Sequence, residues 1–227
     1  MELLVLFDVD GTLFVTDDPL IGEATNAAIE DVWGIRPQPG AIDHVDHTGQ
    51  TALHITRQIL KREGLEDAAI DAGLGRWCDA ASARYLDLLA EQDTSGWRSP
   101  PGAADALRQI PLRALLTGNP EPVARARMEK LGLAGFFPAD QGAFGCESEQ
   151  RVGLIALARG RAGDWPQRRT VAVGDTPVDV AGARAAGIHV VAFASDRCHR
   201  DELTGADAVI ERMDDLPPAL ELISAAT

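Results

Sequence analysis

The sequence predicts an α/β protein: a doubly wound, Rossmann-like parallel sheet with an all-helical domain inserted after its first strand. Short, near-continuous apolar runs end in Asp, Thr or Gly-Asp, and helical patterns follow the second and third of them. A long stretch from about Leu20 to Gln92 has helical periodicity and no convincing strand.

The apolar runs are Leu3–Phe7, Arg113–Leu116 and Thr170–Val173, the form expected of parallel strands covered on both faces. Glu121–Leu131 then reads as a helix with Pro122 in its first turn. Pro177–Ala186 reads as another that stops at Gly187. His189–Ala194 and Ala208–Ile210 continue the strands, and a last helix falls near Leu216–Ile223. This alternation is that of a doubly wound sheet.

In the inserted stretch, Ile21–Trp33, Ala52–Glu63 and Asp79–Leu89 carry apolar residues at helical spacing, with Trp33, Trp77 and Tyr85 on the apolar faces. The predicted division is a core of residues 1–15 and 97–227 and a helical cap of residues 16–96. Phe14–Pro19 and Asp93–Gly102 are the hinges.

Composition narrows the partners. The 227 residues include 35 acidic and 21 basic ones, for a formal net charge of -14. Nucleic acid and anionic membrane both need a basic face, so neither is expected. No apolar stretch approaches the roughly 20 residues of a membrane helix. The N-terminal apolar run lacks the basic flank of a signal peptide. Cys78, Cys146 and Cys198 are odd in number, far apart and outside metal-ligand spacing, which reads as free thiols in a reducing compartment. A cytoplasmic protein, monomer or homodimer, is the expectation.

In open α/β sheets ligands bind beyond the carboxyl ends of the strands. Those ends carry Asp8-Val9-Asp10-Gly11-Thr12, Thr117-Gly118-Asn119 and Gly174-Asp175-Thr176-Pro177-Val178-Asp179. Carboxylates gathered from separate strands repel one another and call for a cation; all-oxygen ligands favour Mg²⁺ before Zn²⁺. Gly11 lets the backbone turn sharply and approach an anion. A carboxylate attacking phosphorus, with a second carboxyl as proton donor, divides phosphate-ester hydrolysis into two displacements.

The DVDGT opening, the LLTGN tip and VGDTPVDVAGARAAG resemble motifs one, two and four of the haloacid dehalogenase superfamily, in the right order. The insert sits where that family carries its helical cap, and the likeness is strongest to phosphoglycolate-phosphatase-like members. The resemblance implies a small phosphorylated metabolite as substrate, Asp8 as nucleophile and Asp10 as general acid and base. It places Mg²⁺ on the Asp8 carboxylate, the Asp10 backbone carbonyl and the Asp175 carboxylate, with Asp179 in an outer shell. Thr117, Gly118 and Asn119 would bind phosphate oxygens, beside Gly11.

The third motif departs from the family, which usually supplies a lysine upstream of motif four. Lys61 and Lys130 are the only lysines, and neither is placed for it. Arg151, 24 residues before Asp175, is the candidate for the missing charge, although a planar guanidinium differs in shape from an ammonium.

Plainer readings accompany each residue. Asp8 and Asp10 suit a turn, Thr117 a helix cap, Asp179 the first turn of a helix, and Arg151 a solvated surface. In the insert, the His44–Thr51 run with His54 and Arg57 could meet a leaving group or simply join two helices. Hydrolysis of a small phosphate monoester leads. A phosphomutase of the β-phosphoglucomutase type and a catalytically idle binding protein are the alternatives.

Overall fold

The computed structural model describes residues 2–226. In chain order its elements are β1 (Leu4–Phe7), α1 (Leu20–Trp33), α2 (Ala52–Arg62), α3 (Asp67–Asp71), α4 (Leu74–Glu91) and α5 (Ala103–Gln109). Then come β2 (Arg113–Leu115), α6 (Glu121–Lys130), α7 (Arg151–Arg161), β3 (Thr170–Gly174), α8 (Pro177–Ala185), β4 (His189–Phe193), β5 (Ala208–Ile210) and α9 (Leu216–Ala226). The five strands form one parallel sheet in the order β2-β1-β3-β4-β5. This is the doubly wound architecture that the alternating pattern predicts.

The sheet is buried on both sides because its strands are apolar at successive positions. Val5 and Phe7 point into one core with Leu107, Met128 and Leu216, whereas Leu4 and Leu6 point into the other with Leu154, Ile155 and Val180. Register then aligns the functional tips. Phe7 pairs with Leu115 on one side and Val173 on the other, so Asp8, Thr117 and Asp175 emerge from neighbouring strands at one end of the sheet.

The predicted strands agree with the observed ones to within a residue at either end. Three short or interrupted helices, α3, α5 and α7, carried no clear period in the sequence. Gly153 and Gly160 dilute the apolar stripe of α7, and α3 and α5 are too short to display one. Helix α4 begins at Leu74, ahead of the predicted Asp79, because Trp77 already buries against the insert's own core.

Helices α1 to α4 enclose a separate apolar cluster that includes Ala28, Ile29, Ile59, Leu60, Ile70 and Trp77. The two chain segments that join this helical layer to the sheet layer run side by side. Val15 N donates to Arg98 O at 3.1 Å, Arg98 N donates to Thr16 Oγ1 at 2.8 Å, and the Phe14 and Trp97 rings meet edge to face at 4.9 Å. Trp97, uninformative in the sequence, is a core residue of this seam.

A second seam lies across the strand tips. Ala52 N donates to Gly118 O at 2.7 Å, Leu53 N donates to Gly145 O at 3.2 Å, and Arg57 pairs with Glu149 at 2.6 Å. Here the expectation of three free thiols fails: Cys78 of α4 and Cys146 form a disulfide across a sequence separation of 68 residues, leaving Cys198 free and buried. Separation along the chain gave no hint of it. The backbone bonds of Ala52 and Leu53 draw the Gly145–Cys146 turn against the helical layer, and only folding reveals that proximity. In the chain-entropy model a link closing a loop of this size stabilises the fold by about 4 kcal/mol.

No described helix is long and apolar enough to cross a membrane.

Candidate active site

Asp8 follows β1 directly and is 5% exposed. Its backbone N–H donates to Val173 O at 2.8 Å, which fixes the residue between the β1 and β3 tips. Asp175 follows β3, and its Oδ1 accepts from the fully buried Thr12 hydroxyl at 3.3 Å. Gly11 makes the turn between them at φ +77, and a Cβ there would lie 1.9 Å from Asp175 Oδ2. Only glycine permits both the backbone conformation and the approach.

Helix α8 presents Asp179 from its first turn. Thr176 and Asp179 form a capping box: the Thr176 N–H donates to Asp179 Oδ2 at 3.0 Å, and the Asp179 N–H donates to Thr176 Oγ1 at 3.2 Å. The plain structural role of Asp179 is therefore present. Its other carboxylate oxygen accepts from Arg151.

Arg151 is the first residue of α7 and is buried, not solvated. Its Nη2 lies 3.0 Å from Asp8 Oδ1 and also donates to Asp179. Its Nε is buried without a protein partner. The guanidinium thus meets Asp8 through Nη2, and one of its donors is unused within the protein.

Asp8, Asp175 and Asp179 form the one acidic cluster among the described residues that could hold a metal ion, with ligand atoms within 4.8 Å of one another. Burial raises the Asp8 pKa well above the carboxylate range; Arg151 opposes that shift, and the charges of Asp179, Asp175 and Asp10 add to it. Burial, with the charges of Asp179 and Asp10, pushes Asp175 up to about 7. Burial disfavours the Arg151 charge too, but Asp179 and Asp8 keep its pKa above the ordinary arginine value. A cluster that resists ionisation by itself suits a cation in its midst.

Asp10 faces the other way. Its side chain is 48% exposed, Oδ1 accepts from Arg127 Nη1 at 2.7 Å, and Oδ2 accepts from the Asn119 side chain. Thr117 is fully buried, and its Oγ1 accepts from the Asn119 backbone at 3.2 Å and from Nδ2 at 3.0 Å. Gly118 lies so close beneath the insert that a Cβ would come 2.1 Å from Gln50 O.

A cavity of about 530 Å³ opens above these groups. Asp8, Asp10, Thr117, Arg151 and Asp175 line its floor, and Ile21, Ile55 and Trp77 contribute to its roof. His47, Thr48, Gly49 and Gln50 of the polar run border it, whereas Thr51 caps α2 by accepting from His54 N at 3.2 Å. Arg57 turns away to Glu149, Asp71 and Asp67. His44 is exposed and does not border the cavity.

Sequence reasoning missed three participants. Thr12 stood inside the first motif as an unremarked hydroxyl. Arg127 and Asp18 carry no motif at all, and nothing short of the fold brings them together.

A family model described as haloacid dehalogenase-like hydrolase matches residues 3–187. The chain is 28% identical over 222 residues to a phosphoglycolate phosphatase of Synechococcus elongatus, covering 95% of this chain and 96% of that one. It is 32% identical over 215 residues to a phosphoglycolate phosphatase of Rhodospirillum rubrum, covering 84% and 79% respectively. Among solved structures, CbbY from Rhodobacter sphaeroides in complex with phosphate superposes with a TM-score of 0.68, at 22% identity, over 97% of this chain and 100% of that one. The chain belongs to the haloacid dehalogenase-like hydrolases. Within that family it is an enzyme of the phosphatase kind.

Proposed function

We propose that this phosphatase transfers the phosphoryl group of a small phosphate monoester to Asp8 and then to water, with Mg²⁺ as cofactor. The observation that supports the assignment of residues is the Arg151 contact with Asp8 at 3.0 Å, which favours Arg151 as the positive charge in place of the lysine the family usually has.

The metal site we propose is the Asp8 carboxylate, the Asp10 backbone carbonyl and the Asp175 carboxylate. Asp179 is occupied by Arg151 and Thr176, which supports an outer position for it. When bound, the ion supplies the positive charge that lets the cluster ionise and draws charge from the phosphoryl oxygens. Asp8 attacks phosphorus as the bond to the leaving oxygen breaks, and Asp10 gives that oxygen its proton. Water then attacks the aspartyl-phosphate, Asp10 takes the water's proton, and inorganic phosphate leaves with Asp8 restored. Arg151 and Thr117, with the Gly11, Gly118 and Asn119 backbone, stabilise the phosphoryl oxygens in both steps.

Residues 16–96 act as a cap that excludes water from this chemistry, and residues 1–15 and 97–227 act as the core that carries it. The relatives' names make 2-phosphoglycolate the first ester to try, ahead of sugar phosphates and nucleotide-derived phosphates. The cytoplasm remains our proposed location, although the Cys78–Cys146 link removes the thiol argument for it. The idle-scaffold reading rested on the missing lysine, and Arg151 beside Asp8 weakens that ground.

The test is phosphate release from acetyl phosphate, an aryl phosphate and a broad ester panel, with and without MgCl₂. Turnover that appears with MgCl₂ and disappears in Asp8→Asn is expected. A wild-type protein that hydrolyses nothing on the panel would overturn the proposal.

A further inference from the structure

Arg127 sits in the middle of α6, 1% exposed, on the opposite side of Asp10 from the acidic cluster. A buried guanidinium must have its charge neutralised and its donors filled. Nη1 donates to Asp10 Oδ1 at 2.7 Å and to Asn119 Oδ1 at 3.2 Å. Nη2 and Nε donate to Asp18 Oδ2 at 2.8 and 3.1 Å, and Nε also donates to the Tyr85 hydroxyl at 3.1 Å. Tyr85 in turn donates to Asp18 Oδ2 at 2.6 Å, and the guanidinium lies over the Phe14 and Tyr85 rings. One side chain thus joins the core (Asp10, Asn119), the first connecting segment (Asp18) and the helical layer (Tyr85 of α4).

We propose that Arg127 is a positioning residue for Asp10, and that Asp18 and Tyr85 hold it in place so that acid–base chemistry depends on the seating of the helical layer. The proposal rests on the reading of Asp10 as general acid and base.

The charge count explains why two carboxylates are needed. With Asp10 alone, the buried arginine would have only a half-exposed carboxylate as its counter-charge. Asp18, with its side chain 3% exposed, already neutralises Arg127. Asp10 is therefore not the arginine's sole counter-charge, and its carboxyl is held in direction by Nη1 and by Asn119 Nδ2. The half-exposed partner is the one free to react, and the buried partner is the one that stays.

The experiment compares two leaving groups. An alkyl phosphate needs a proton on its departing oxygen, whereas 2,4-dinitrophenyl phosphate does not, so the first equivalent of dinitrophenolate reports Asp8 attack without acid assistance. Asp10→Asn sets the scale: a loss of about a hundredfold or more on the alkyl ester, with the dinitrophenolate burst largely kept. Arg127→Met paired with Asp18→Asn, which leaves no buried charge unpaired, should show the same split, with a loss of about tenfold or more on the alkyl ester. Tyr85→Phe, nearly isosteric, should show it in the same direction and smaller.

Equal losses on both esters, or no loss, in the Arg127 and Tyr85 variants would overturn the proposal and leave Asp10 its role. Absence of the split in Asp10→Asn itself would remove the acid–base reading of Asp10 and this proposal with it. Since Tyr85→Phe keeps both charges paired, it remains informative even if the double variant does not fold.

Discussion

Asp8 and Asp10 are two residues apart in one short run, yet each belongs to a differently built half of the site. Asp8 is buried among Arg151, Asp175 and Asp179, all delivered by strand tips and helix starts of the sheet layer. Asp10 stands half exposed against Arg127, which reaches back to a connecting segment and to α4. In both halves a buried arginine bridges one aspartate of the run to a second, buried carboxylate. The first half is built from the sheet layer, with Arg151 Nη1 also donating to Gly49 O of the insert at 3.4 Å, and is suited to binding charge. The second reaches α4 through Arg127 and suits a proton that must move when the roof is seated.

The largest effects should come from the first half. Asp8→Asn is expected to lower turnover at least about a thousandfold, since the proposed nucleophile is gone. It should not lower stability at neutral pH, because it removes a carboxylate whose ionisation the fold resists. A thermal melt alongside the assay checks both. Arg151→Ala should cost about 10²–10³ in kcat by loss of charge at the phosphoryl oxygens. It should also destabilise, since it leaves Asp8 and Asp179 unpaired, by about 3–5 kcal/mol. Arg151→Lys should recover a large part of the activity. Wild-type kcat in Arg151→Ala would show that another group supplies the charge.

The two halves were unequally legible. Asp8 and Asp175 could be brought together from order and spacing, because strand tips in a parallel sheet face one crevice and short apolar runs reveal those strands. Arg151 is reached only through the family resemblance, as a stand-in for its lysine. Arg127 could be reached by neither route: in the sequence it is one of two arginines in a largely polar helix, and its burial depends on Asp18 and Tyr85 arriving from 109 and 42 residues away. The Cys78–Cys146 link was hidden for the same reason. Helix α7 was missed as an element although its first residue was singled out, since two glycines blur its apolar stripe.

Acid–base behaviour separates the halves again. Burial raises both Asp8 and Asp175 above their unfolded values, Asp175 to about 7. A carboxyl raised on folding adds stability below its unfolded pKa, and that contribution is lost as pH rises through the folded one. Metal-free protein should therefore melt higher at pH 5 than at pH 8. Carboxylates depressed by their partners, such as Glu147 and Asp207, act below that window and do not reverse the trend. MgCl₂ should invert the order by binding the ionised cluster. Identical melting temperatures at the two pH values in EDTA would show that the cluster ionises unaided.

The smallest effect on chemistry should follow from cutting the Cys78–Cys146 link with a dithiol. The connecting segments keep the helical layer attached through the Val15–Arg98 pairing, the Phe14–Trp97 contact and the Arg127 network, none of which involves the cysteines. Across the strand tips the remaining ties include the Ala52–Gly118 and Leu53–Gly145 bonds, the Arg151 Nη1 bond to Gly49 O and the Arg57–Glu149 pair. Reduction should lower the stability by about 2–4 kcal/mol. Turnover should change by less than about tenfold, because neither cysteine lines the cavity or touches the reacting groups. Cys78→Ser should reproduce the reduced protein. If reduction instead abolished the leaving-group split expected of Asp10, the link across the strand tips, and not the Arg127 network alone, would be holding the second half of the site in register.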